Sequence, residues 1–417
     1  MKVELINTGT ELLLGDVVNT NAAWLGQRLV ELGLRLERCT VVHDGEGIRE
    51  ALEEACQRSD IVIVTGGLGP TSDDISREVT AEFFGLPLEL NDGVMKALEE
   101  RFARWNKPVN AHNVRQAMVP RGAEVLANPN GTAPGLFFHP RLGAPKNLNC
   151  AVVLVPGPPR ELKPMMVDEA EPRLRQLMPV EALRVCRYFK FTGLGESDIS
   201  MALQDSLEAI PGLEIGYCLG KGDVDVRLTG SPEALEAAAL LCRSKLGEFL
   251  VSEDRRLVEE VVVNLLIEKQ QWVATAESCT GGLIANRITN ISGASGIFGH
   301  GFVTYANEAK TQHLEVPAEL IAKNGAVSAS VAQAMAEGCL CASRADHAVA
   351  VTGIAGPSGG SAEKPVGTVF IALASKGRAT EVRRRWFSGE RERFKLLTSQ
   401  AALDFLRRRL CDFPIPE

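Results

Sequence analysis

Apolar residues in the first 172 positions fall into short, nearly continuous runs, Val3 to Asn7, Ile61 to Val64 and Ala151 to Val155. Each run empties into a Gly- or Pro-rich loop. Between the runs, apolar positions recur at helical spacing. Strands that are apolar on both faces and alternate with helices predict an α/β sheet of largely parallel order, with ligands gathering beyond the strand C-termini. The pattern changes across the Pro-bearing stretch from Arg173 to Val180, which reads as a boundary.

From Val185 the pattern predicts a strand (Val185 to Phe191), a helix (Glu196 to Leu207) and a hairpin around Gly220 to Asp223. A further helix is opened by Ser231 at the N-cap and Pro232 at the first helical position. Residues 173–251 therefore form a small α+β middle domain between an α/β domain at 1–172 and another at 255–413. The last domain opens with an amphipathic helix through Val261 and Leu266 and a strand from Trp272 to Thr275. A turn and a helix through Ile284, Ile288 and Ile291 follow. Beyond them come a strand from Phe302 to Tyr305, a Ser328-capped helix and a strand from His347 to Val351. A hairpin (Val366 to Leu373, Glu381 to Trp386) and a closing helix complete it.

Composition narrows the classes of function. With 45% hydrophobic and 24% charged residues, the 417-residue chain has the mix of a folded globular protein. No apolar run nears the roughly 18 residues of a membrane-spanning helix, and the N-terminus carries no signal-peptide pattern, so a cytoplasmic location is expected. A net charge of −8 makes nucleic acid an unlikely partner. Ten cysteines without C-x-x-C spacing and six scattered histidines suggest neither a disulfide framework nor a zinc site.

Candidate chemistry lies in the loops. In Ala-Glu-Ser-Cys-Thr-Gly-Gly, Ser278 stands at a strand-to-helix turn, where the backbone N–H groups of Thr280, Gly281 and Gly282 and the positive helix end could stabilise an oxyanion. A serine there also serves simply as a helix cap. A serine nucleophile needs a base. Val-Thr-Tyr-Ala-Asn-Glu-Ala-Lys supplies a phenol, Tyr305, which can relay the proton, and an amine, Lys310, which can act as a base if burial lowers its pKa; otherwise the two are a packing residue and a solvated charge. Thr352-Gly-Ile-Ala-Gly-Pro follows a later strand with small residues suited to close approach of backbone to ligand. Cys279 competes with Ser278, because helix N-termini lower thiol pKa values.

Together these three clusters, with Lys-Pro-Val-Gly-Thr, resemble the CinA C-terminal family of nicotinamide-nucleotide amidases. The resemblance implies hydrolysis of the carboxamide of nicotinamide mononucleotide to nicotinic acid mononucleotide and ammonia, without a cofactor. Carried over to matching positions, Ser278 is the nucleophile and Tyr305 and Lys310 the activating pair. Thr352, Gly353, Ala355 and Gly356 line the substrate pocket, and Arg391 meets the nucleotide phosphate.

Near the N-terminus, Thr65-Gly-Gly-Leu-Gly-Pro-Thr-Ser-Asp-Asp joins a possible phosphate cradle, Gly66, Gly67 and Gly69, to two carboxylates suited to Mg²⁺. With Thr8-Gly-Thr-Glu-Leu-Leu-Leu-Gly and Pro156-Gly-Pro-Pro-Arg-Glu, it resembles the CinA N-terminal domain, a relative of the three-layer molybdopterin-binding fold. This implies metal-dependent cleavage of ADP-ribose to AMP and ribose 5-phosphate, with Glu11, Asp73 and Asp74 around a divalent metal. Gly-Gly-Leu-Gly replaces the Gly-Gly-Thr-Gly typical of molybdopterin-transfer enzymes. The middle segment resembles a KH-type domain but lacks the Gly-x-x-Gly clamp that holds nucleic acid. Its Gly193-Leu-Gly-Glu-Ser turn either borders the pyrophosphate site or caps a helix. Family resemblance also implies a homodimer. Two other readings stay open: a competence-associated interaction protein whose pockets bind nucleotide without turnover, and a molybdopterin-binding N-terminal domain.

Overall fold

Central strands buried on both faces organise the chain. A computed structural model describes residues 1–45, 47–140, 142, 149–178, 185–220 and 222–416, which divide into two units at Cys186 and Arg187.

The first unit is built on the strands β1 (Lys2–Thr8), β2 (Arg35–Val42), β3 (Ile61–Thr65), β4 (Leu88–Leu90), β5 (Met118–Pro120), β6 (Glu124–Leu126), β7 (Gly135–Phe138) and β8 (Ala151–Val155). Six of them form a sheet in the order β2-β1-β3-β8-β7-β6. The four strands β2, β1, β3 and β8 run parallel, while β7 and β6 are antiparallel additions. Ile6, Val62, Val64, Val152 and Leu154 feed the core on one face. Val3, Leu5, Ile61, Ile63 and Val153 feed the core on the other. The result is a three-layer α/β arrangement in which the C-terminal ends of β1, β3 and β8 lie side by side.

The second unit holds two sheets. β9 (Val185–Thr192, whose first two residues belong to the first unit), β10 (Glu214–Leu219), β11 (Asp223–Gly230) and β12 (Leu250–Ser252) form a four-stranded sheet in the order β10-β11-β9-β12. The helices Glu196–Glu208 and Pro232–Leu246 share its core. Ser231 caps the second helix by accepting from the Ala234 amide at 3.2 Å. The Gly195 amide donates to Asp198 at 3.1 Å, so the Gly193-to-Ser197 turn is a helix start.

The second sheet contains β13 (Val273–Glu277), β14 (Phe298–Val303), β15 (His347–Gly353), β16 (Thr368–Ser375) and β17 (Arg378–Trp386), in the order β14-β13-β15-β16-β17. Its faces differ in residue size. Val273, Val349, Val351, Val369 and Ile371 pack against the helices Val258–Lys269, Leu283–Thr289 and Arg391–Leu410. Alanines 274, 276, 348, 350, 372 and 374 face the helix Ala329–Ser343, whose small residues let it sit close to the sheet. The strand expected from Phe302 to Tyr305 lies earlier, at Phe298–Val303, which places Tyr305 in the loop beyond it. Among the described residues, no helix is long and apolar enough to cross a membrane.

Candidate active site

Ser278 follows the last residue of β13, a central strand flanked by parallel β14 and β15. Its amide donates to Val351 O at 3.1 Å and thereby extends the ladder to β15. The chain then turns through Gly281 (φ 63°) and Gly282 (φ 94°), left-handed conformations that explain the glycine pair. The fully buried carboxylate of Glu277 folds back into this turn. It accepts from the Thr280 hydroxyl (2.6 Å) and from the amides of Gly282 (3.0 Å), Ile284 (3.0 Å) and Ala285 (2.8 Å). This corrects the expected oxyanion donors at Gly281 and Gly282 and not at Thr280: the amides of Gly282, Ile284 and Ala285 already serve a carboxylate, as does the Thr280 hydroxyl. The Gly281 amide donates to Ser278 O. Among the described residues, the amides of Cys279 and Thr280 donate to no other residue.

Lys310, from the helix Asn307–Leu314, is 1% exposed, and its Nζ lies 3.3 Å from Ser278 Oγ. The amine also donates to Thr304 O at 2.8 Å and Tyr305 O at 3.4 Å. Burial pushes its pKa below the ordinary lysine value, with Cys279 and Glu308 opposing the shift. A buried amine bonded to no carboxylate among the described residues has the character of a base. Tyr305 contributes to Lys310 through its carbonyl. Its phenol is exposed and accepts from Arg391 Nη2 at 2.6 Å, so the sequence expectation of a proton relay through the phenol is not met by this geometry.

Arg391 also donates to Gly356 O at 3.1 Å and so ties the second and third motif clusters together. The Thr352 hydroxyl is committed to Ala326 O at 2.8 Å, which anchors the loop. Gly353 is hemmed in by Thr368, Val369 and Phe394, Ala355 is buried, and Val366 packs against Gly356. Cys279 is 4% exposed within the hydrophobic core, and burial pushes its thiol up to about 12. Its burial and raised pKa favour a packed, protonated thiol at neutral pH.

In the first unit, the Gly66 (φ 98°) and Gly67 (φ 66°) turn follows β3, and the Gly66 amide donates to Val155 O at 3.0 Å. A side chain at Gly66 would meet Thr8, one at Gly67 the Ser76 hydroxyl, and one at Gly69 the Asp74 carboxylate. Among the described residues, the buried Ser76 hydroxyl has no hydrogen-bond partner. Asp74 accepts from the Thr71 amide at 3.0 Å and from the Thr71 hydroxyl, bracketing its own loop, while Glu11 folds against Gly9. Among the described residues, no three His, Cys, Asp or Glu side chains come together to hold a metal ion. Glu11, Asp73 and Asp74 are thus not gathered into one ligand set.

The geometry of both sites coincides with two regions similar to known families. Residues 255–410 match the CinA C-terminal domain, and residues 4–176 match a probable molybdopterin binding domain. Over 403 residues the chain is 48% identical to a CinA-like protein of Akkermansia muciniphila, covering 97% of this chain and 96% of that protein. The chain belongs to the CinA family. A putative competence-damage inducible protein of Caldicellulosiruptor bescii is 44% identical, over 99% of this chain and its own full length. A crystal structure of the competence/damage inducible protein CihA from Agrobacterium tumefaciens is 43% identical. It covers 37% of this chain and 97% of that one, with a TM-score of 0.36.

Two residues of this CinA-family site escape a motif reading. Glu277 has a structural task that only the fold-back of the turn reveals, although its place immediately before Ser278 was a signal. Lys395 sits on the closing helix, far away in sequence. Its Nζ would lie 3.8 Å from a Cβ built at Gly281, which brings a second amine to the turn.

Proposed function

We propose that the C-terminal region is a serine amidohydrolase acting on the carboxamide of nicotinamide mononucleotide. The observation that carries this reading is the buried Lys310 amine, 3.3 Å from Ser278 Oγ. In its neutral form Lys310 takes the Ser278 proton as Oγ attacks the carboxamide carbon. The amides of Cys279 and Thr280 are the donors left to meet the oxyanion. Collapse of the tetrahedral intermediate breaks the C–N bond, and the Lys310 ammonium returns the proton to the departing ammonia. An acyl-serine ester remains. Water, deprotonated by Lys310, then attacks the ester; as the ester C–O bond breaks, the Lys310 ammonium returns that proton to Ser278 Oγ and nicotinic acid mononucleotide is released. The exposed Arg391 suits the nucleotide phosphate, and Tyr305 orients it through the 2.6 Å hydrogen bond.

Ammonia release by the full-length chain tests this assignment. Ser278→Ala abolishes it, whereas Cys279→Ala retains most of it; the reverse pattern would exclude the serine mechanism.

For the N-terminal unit we propose ADP-ribose hydrolysis to AMP and ribose 5-phosphate. Support comes from the Gly66–Gly67 cradle and the unpartnered Ser76 hydroxyl beside it. The carboxylates do not fit a protein-only metal cage. A divalent cation such as Mg²⁺ would take most of its ligands from pyrophosphate and water, with at most one or two of Glu11, Asp73 and Asp74. AMP formation by the full-length protein, with and without added Mg²⁺, tests this second activity separately. The middle segment we read as a KH-type spacer.

A further inference from the structure

Within the second unit, a cavity of about 350 Å³ opens where the end of β9 meets the closing helix. It is separate from the Ser278 turn: its helix residues begin at Leu397, while Arg391 serves the serine site. Its size falls within the range of small-molecule sites.

The charge around it is unusual for a chain of net charge −8. Arg383 and Arg385 on β17 lie in the same region as Arg407, Arg408 and Arg409 on the closing helix. Their described ion-pair partners are three carboxylates, Glu381, Asp404 and Glu248. Two of these arginines line the cavity. Arg408 is paired, with Nε 2.9 Å from Asp404 and Nη1 2.9 Å from Glu248, and its guanidinium lies 4.8 Å from the Phe249 ring centroid. Among the described residues, Arg385 has no such carboxylate. Its hydrogen bonds go to the carbonyls of Pro416 (2.7 Å) and Arg384 (3.2 Å), and its guanidinium lies 5.5 Å from the Phe405 centroid. Burial lowers its pKa, and the nearby cations Arg383 and Arg408 lower it further, a repulsion that a bound anion would relieve.

The remaining wall is mixed. Phe249, Phe387 and Phe405 provide flat apolar surfaces, and Gln400 and Thr192, joined by a 3.2 Å hydrogen bond, provide polar edges. A guanidinium whose described hydrogen bonds go to carbonyls, beside aromatic faces in a cavity of this size, suits a ligand with an anionic end and a planar ring. The geometry points to a binding site for a small phosphate ester carrying an aromatic base, a nucleoside monophosphate in chemical class, with Arg385 as the phosphate anchor.

Hydrogen exchange of the full-length protein, read by mass spectrometry with millimolar AMP as the probe, localises such binding. AMP protects the amides of residues 249–251 and 397–408, whereas adenosine at the same concentration does not. Arg385→Gln weakens this local protection at least tenfold. Ala401→Met, which fills the cavity without touching a charge, does the same. Protection elsewhere in the chain reports other nucleotide sites and does not count as support. The proposal is overturned if these segments stay unprotected, if both variants leave protection intact, or if adenosine matches AMP. Equal protection by benzoate would overturn the phosphate assignment.

Discussion

The amine of Lys310 reaches the Ser278 hydroxyl by leaving water, and that desolvation lowers its affinity for a proton. The proposed amidase activity should therefore gain kcat/KM with rising pH along a limb centred below the ordinary lysine value of 10.5. Arginine keeps its charge throughout this range, so Lys310→Arg should lower kcat by about 10²–10⁴-fold and remove the limb. A pH–rate profile of the two proteins decides it. Tyr305 separates two roles. Its phenol contacts Arg391, so Tyr305→Phe should raise KM for nicotinamide mononucleotide and retain most of kcat. A collapse of kcat with KM unchanged would restore the relay role to the phenol. Cys279, raised to about 12 by burial, should resist iodoacetamide in the folded protein at pH 7.

At the level of elements, the serine turn depends on the helix behind it. Glu277 accepts three helix-start or turn amides and one hydroxyl. Glu277→Gln would aim an amide donor at one of those donors, costing about 2–3 kcal/mol of stability. Ser278 would lose its placement with the turn; urea unfolding and ammonia release, measured together, test both effects. One turn further along, Arg287 bonds Glu259 through two nitrogens and also reaches Ser399 and Gln400. Arg287→Met leaves Glu259 buried without its cation, and a loss of about 3–5 kcal/mol is expected in the same unfolding assay. Neither role was legible as a motif. Ser278 read alone permits a capping role, yet the residue that caps the helix is its neighbour Glu277, because Gly281 and Gly282 bend the chain back over that carboxylate. Strands buried on both faces, such as β3 and β8, were legible from their apolar runs. The exposed edge strand β2, Arg-Leu-Glu-Arg-Cys-Thr-Val-Val, and the Gly- and His-bearing β14 were not, since their pairing comes from neighbouring strands and not from an apolar pattern.

Across the whole molecule, central strands were readable because burial on both faces leaves continuous apolar runs, whereas the cavity beside Arg385 and Arg408 joins residues from Thr192 to Pro416 that no local window brings together. A similarly long-range contact makes stability depend on pH. His347, 7% exposed at the start of β15, hydrogen-bonds through Nδ1 to Ser375 Oγ (2.9 Å) and through Nε2 to Gln271 Oε1 (3.2 Å). Arg409 donates to the same Ser375 hydroxyl at 2.9 Å. Burial drives the imidazole pKa from 6.5 down to about 4; Asp346 opposes the shift, while Arg409, Arg378 and Lys269 reinforce it. Because the folded ring resists protonation, the unfolded chain binds the extra proton between those two values. The stabilisation is complete above pH 6.5 and declines as pH falls toward about 4. The full range corresponds to about 3 kcal/mol, of which about 2 kcal/mol is gone by pH 5. Hydrogen exchange of the β15 amides in urea, at pH 7 and pH 5 and corrected for intrinsic exchange, reads this unit by itself. His347→Gln should remove about 2 kcal/mol of the difference between the two pH values, and an unchanged difference would show that His347 does not titrate in this way.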